Sequence, residues 1–122
     1  MSNRDLTRFQ HMFDAAQAAI DHLNNKKRED LDRDRLLING VIRELEILGE
    51  AASQITAEAR SRHQSLPWRE MIGMRNRLIH AYFDIDHQAV WLVVKEHLPS
   101  LVIDLQAILQ KYGENNEASK NC

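Results

Sequence analysis

Cysteine is almost missing from this 122-residue chain. The one present, Cys122, leaves no partner for an internal disulfide and excludes zinc-ribbon chemistry. Turn-formers and strand-formers are also sparse. Four Gly, 2 Pro, 3 Phe, 2 Tyr and 2 Trp are too few for a β-sandwich or barrel. No run of 18 apolar residues occurs, so no membrane span is expected. The first residues, Met1-Ser2-Asn3-Arg4-Asp5, are polar and lack a signal-peptide core, which makes the cytoplasm the expected compartment. Nor does charge of one sign dominate. With 16 Lys+Arg against 18 Asp+Glu, the formal charge is -2, unlike a non-specific nucleic-acid binder. A local basic site remains open. No His/Asp/Glu set stands at metal-ligand spacing, so neither metal nor cofactor is expected.

What is present is a helical pattern. Hydrophobic residues make up 43% and charged residues 28%, a composition that folds rather than stays disordered. The length suits one domain. Leu6, Phe9, Phe13, Ala16, Ile20 and Leu23 predict an amphipathic helix over about 5–24. A charged connection, Arg28 to Arg35, reads as solvated linker and helix start. Ile38, Val41, Ile42, Leu45, Leu48, Ala52, Ile55 and Ala59 predict a long second helix over about 33–62. Gly49, beside Ala51 and Ala52, suggests close approach of another helix, since Gly costs about 1 kcal/mol against Ala in a helix interior. Pro67 opens a third helix to about residue 80. Asp84-Ile85-Asp86 breaks it, and Asp86 is a candidate N-cap for a fourth. That last helix is kinked or split at Pro99 and runs to Tyr112. The expected architecture is all-α: an antiparallel four-helix bundle over 1–112, followed by a disordered polar tail over 113–122.

One segment departs from ordinary bundle surface. Met74-Arg75-Asn76-Arg77-Leu78-Ile79-His80-Ala81-Tyr82-Phe83 places two Arg, an Asn, a His and a Tyr beside core residues. Between Arg60 and His80, five Arg face one Glu, so this stretch carries +4 and the rest of the chain -6. Such asymmetry marks a local anion site. Asn76 and His80, four apart, share a helix face. Arg75 and His80 differ by about 140° on a straight helix. They converge on one phosphate only if Arg75 reaches round, if the helix unwinds near His80, or if a second subunit contributes. A structural His at a helix C-terminus is the competing reading.

Arg75-Asn76-Arg77-Leu78-Ile79-His80-Ala81-Tyr82 resembles the Arg-x4-His-x-Tyr signature of HEPN-domain proteins, specifically the HepT-like toxin family. Three further blocks carry the resemblance: Arg43 to Ala52, Leu66 to Asn76, and the Val90-Trp91 and Leu98-Pro99 pairs. Ala81 stands where the family often has Gly. The resemblance implies a HEPN-like fold and a metal-independent endoribonuclease, the toxin of a toxin–antitoxin module. It also implies a minimal nucleotidyltransferase antitoxin as partner, a homodimer with two motifs facing one cleft, and AMP attachment to Tyr82.

The residue types suit that chemistry. RNA supplies its own nucleophile, the 2′-OH. His80 can act as base or acid near neutral pH. Arg75 offers planar, permanently charged donors to phosphate oxygens. Asn76 is a candidate to orient His80 or the phosphate. Glu46 and Glu50, four apart on the second helix, are candidates to face and hold Arg75, or else form an exposed acidic face. Trp68 and Trp91 read as core or dimer-interface residues, and the scattered His11, His22, His63, His87 and His97 as packing or surface. Two alternatives stand: a non-catalytic HEPN module that binds a nucleotide or assists a nucleotidyltransferase, and a plain helical interaction subunit.

Overall fold

The computed structural model describes residues 1–81 and 84–120, with side chains over 1–80 and 84–113. Helix α1 covers Asn3–His22, α2 Asp30–Arg33, α3 Arg35–Ser53, α4 Ala57–Arg62, α5 Trp68–Ile72 and α6 Met74–Leu78. A short hairpin follows, β1 (Ile79–Ala81) with β2 (Asp84–Ile85). Helix α7 (His87–Leu92), a π-turn (Val93–His97) and α8 (Leu98–Lys120) then follow in succession.

Every apolar residue anticipated on the second helix, from Ile38 to Ala59, is buried. Phe9, Ala16 and Leu23 are buried likewise on the first. Side-chain bonds reveal the helix directions. Asp5, at the start of α1, accepts from the backbone N–H and hydroxyl of Thr56, just past the end of α3 (3.0 and 2.7 Å). Tyr112, late in α8, meets His63, whose ring stands edge-on to Phe9 of α1. Lys95 Nζ, early in the last rod, donates to the Leu23 carbonyl beyond the end of α1 (3.0 Å). Both α3 and the last rod therefore run against α1, as an antiparallel bundle requires. The architecture is all-α and HEPN-like, with one two-stranded sheet among the described residues.

Three elements depart from the sequence reading. The second helix does not run unbroken to 62. It stops at Ser53, and Thr56 caps α4 by accepting from Ala59 N–H. Arg60 folds back on the carbonyls of Ala52, Ser53 and Ile55, satisfying acceptors at the end of α3. The third helix is two short pieces joined at Gly73 and ends at Leu78, not 80. Beyond it Ile79 is extended, with φ -119° and ψ 105°. The Asp86 N–H closes on the Leu78 carbonyl at 2.8 Å, so hairpin bonds replace a further helical turn. Pro99 does not split the last helix. The π-turn just before it makes a wide bond, Leu98 N–H to Val93 C=O. That wider turn accommodates a ring that would crowd the Lys95 carbonyl and that brings no N–H. The inserted residue also shifts the helical register, which leaves His97 exposed while Leu98 is buried.

Helix α8 extends to Lys120, whereas the sequence reading begins a disordered tail at Gly113. Residues 113–120 hold no proline to end it. No helix among the described residues is long and apolar enough to cross a membrane.

Candidate functional site

Gly49 positions the site. A Cβ there would lie 2.7 Å from the Met71 carbonyl oxygen, so α3 and α5 approach closely at this point, as the small-residue patch suggests. The crossing sets α3 against the α5–α6 segment that carries Arg75. A cleft of about 290 Å3 opens beside it, lined by Leu45, Glu46, Gly49, Glu50, Ser53, Ile72 and Arg75. Glu46 and Glu50 thus face Arg75 across the cleft. Among the described residues no ion pair within 4.0 Å joins either of them to Arg75. Arg75, Asn76 and Arg77 are all exposed.

His80 sits on β1, not on a helix. Asn76 and His80 therefore do not share a helix face, and the 140° separation expected on one continuous helix does not apply. Of the three routes to convergence, the structure contains unwinding ahead of His80. The imidazole is 55% exposed, and its Nε2 lies 3.4 Å from Asp86 Oδ2. The Asp86 carboxyl is held below the usual carboxylate range, first by the Ala89 N–H and next by His80. Tyr82, the expected AMP acceptor, lies outside the described residues.

The basic stretch divides by role. Arg60 is committed to α3 carbonyls and stands 5.8 Å over the Trp68 ring, and Arg62 pairs with Glu58 at 2.8 Å. Arg69, Arg75 and Arg77 carry the remaining exposed charge. His63 and Trp68 pack with Phe9 and Tyr112. Burial, then the charges of Lys111 and Arg62, push the His63 pKa down. Trp91 is half-buried under Lys95.

Sequence reasoning missed two groups next to the site. Its position before α7 marks Asp86 only as a cap, yet its carboxylate also reaches His80. Asp32 accepts from His87 Nδ1 (2.6 Å) and Arg28 Nη1 (3.0 Å), while Arg28 Nε donates to Gln88 (2.8 Å). These bonds hold the Asp32 carboxyl below its usual range, His87 first and Arg28 next. The connection before α3 therefore clasps the start of α7. No spacing rule reveals that pairing, because 55 residues separate Asp32 from His87. Among the described residues no group of three or more His, Cys, Asp or Glu is placed to hold a metal.

Fold and site together define a HEPN-like helical domain bearing an exposed Arg/His segment. The family model described as Ribonuclease HepT-like matches residues 12–108, and the chain belongs to that family. It is 33% identical over 102 residues to a candidate RNase of Caldanaerobacter subterraneus subsp. tengcongensis, covering 84% of this chain and 91% of that one. It is 37% identical over 113 residues to a candidate RNase of Methanocaldococcus jannaschii, covering 88% and 100%. A probable ribonuclease HepT of Thermococcus cleftensis is 48% identical over 73 residues, 60% of this chain and 66% of that one. No solved structure matches the chain.

Proposed function

We propose that this protein is a metal-independent endoribonuclease toxin, cleaving RNA with Arg75 and His80. The observation that carries the reading is an exposed His80 on a strand just beyond an exposed arginine-bearing helix, in a chain of the HepT-like ribonuclease family. The 2′-OH of RNA attacks the adjacent phosphorus, the 5′-oxygen leaves, and a cyclic phosphate forms. His80 takes the 2′ proton or delivers one to the leaving oxygen. Arg75 donates to the nonbridging phosphate oxygens as charge builds on them. Asn76 binds the flanking phosphate, and Glu46 and Glu50 limit how far Arg75 swings in the cleft.

Two copies form a homodimer in which Arg75 of one subunit serves with His80 of the other. The exposed apolar Ile72 beside Arg75 favours such a face. A minimal nucleotidyltransferase is the antitoxin, and Tyr82 is its AMP acceptor. The adduct adds a phosphodiester charge close in sequence to His80 and fills the RNA cleft.

The test is RNA cleavage by purified protein in EDTA, which we expect for the wild type and not for His80→Ala. Co-expression with the cognate nucleotidyltransferase is expected to add about 329 Da per AMP and to abolish cleavage. Intact RNA after exposure to wild-type protein would overturn the nuclease reading. An adduct on another residue would overturn the assignment of Tyr82.

A further inference from the structure

The α7 cap and the candidate catalytic imidazole share one carboxylate. Asp86 is fixed twice before it meets His80. Its backbone N–H donates to the Leu78 carbonyl at 2.8 Å, and its Oδ1 accepts from Ala89 N–H at 2.9 Å as the N-cap of α7. The turn that holds it is fastened in turn to α2 through Asp32–His87, and to the turn just before α2 through Arg28–Gln88. With backbone and one oxygen held, the other oxygen, Oδ2, is aimed at His80 Nε2 from 3.4 Å.

Other charged groups near this hairpin are placed differently. Arg75 and Arg77 on α6 carry like charge to an imidazolium. Asp84 on β2 is exposed and makes no ion pair among the described residues, and His87 on α7 is engaged by Asp32.

We propose that Asp86 is a positioning residue for His80: it accepts from Nε2 and so turns Nδ1 toward the RNA. A cap carboxylate suits this task because its orientation is set by the helix it caps, not by a flexible loop. A separation of 3.4 Å is long for a resting hydrogen bond, and such contacts tighten once substrate is bound. When His80 takes a proton, the facing carboxylate stabilises the imidazolium without itself gaining that proton.

This inference rests on the nuclease reading above, and its test separates the two. Asp86→Asn keeps an N-cap of equal quality but removes the charge, and Asp86→Ser keeps a cap too short to reach His80. Both are expected to lower kcat by about tenfold, a fraction of what an acid–base group contributes. KM for RNA and the melting temperature should stay near wild type. The second readout needs no activity: NMR relaxation of the His80 ring, which should show greater ring mobility in both variants. Wild-type kcat in both variants overturns the proposal. So does a loss confined to KM, a loss that follows the melting temperature, or an unchanged His80 ring. If the wild type cleaves no RNA, the nuclease reading fails, and ring mobility alone still decides whether Asp86 holds His80.

Discussion

At the scale of single residues, Asp5 shows how a polar side chain is retained inside a bundle. It is 3% exposed. Burial opposes its ionisation, but bonds from the Thr56 N–H, the Thr56 hydroxyl and Ser2 outweigh that and hold its pKa below the ordinary value. A carboxyl whose folded pKa is depressed contributes stability above its unfolded pKa of about 3.9 and loses it as pH falls through the folded value. Asp5→Ala strands the Thr56 donors, which should cost about 2 kcal/mol at neutral pH. Urea unfolding across pH would check this. The gap between variant and wild type should be full above about pH 4 and shrink at lower pH. A gap that stays constant to pH 2 would mean that the carboxylate charge plays no part.

Among elements, the α3–α5 crossing is the joint on which the site turns. Gly49→Ala gains about 1 kcal/mol of helix propensity. The new methyl would stand 2.7 Å from a backbone carbonyl, which cannot rotate away as a side-chain tip does. Overpacking of this kind typically costs about 1–3 kcal/mol. We expect a net loss of stability by thermal unfolding, together with weaker cleavage, because Arg75 lines the same cleft. A more stable variant would show that α5 shifts freely and that the close approach is not a constraint. The π-turn is a second joint, and it carries the last rod past Pro99 with Leu98 still in the core.

For the whole molecule, the proposed dimer makes a prediction that no single chain can. If each site takes Arg75 from one subunit and His80 from the other, a mixed dimer of Arg75→Ala and His80→Ala has one intact site and one doubly broken site. Random mixing gives half mixed dimers, so activity should return to about one quarter of wild type. Each variant alone should stay inactive. No recovery on mixing, with subunit exchange verified by mass, would place both residues of a site on the same chain.

The sequence by itself determined the helical class and the buried stripes. Periodicity of 3.6 is local, and Ile38 to Ala59 obey it on either side of the break at Ser53. It also located Gly49 as a close approach and Asp86 as a cap, and it offered Glu46 and Glu50 as the carboxylates that face Arg75 across the cleft. Thr56 carried a readable stop signal, an N-cap residue inside an apparently continuous stripe. Tertiary structure alone decided where helices yield to other conformations. Ile79 keeps a helical spacing in sequence, yet the Leu78 carbonyl bonds to Asp86 and the chain turns extended, which puts His80 on a strand. The Asp32–His87 clasp and the aim of Asp86 at His80 were likewise beyond the sequence. Local propensity specifies how a segment coils, but which distant donor satisfies a given carbonyl or carboxylate depends on how the packed helices bring them together.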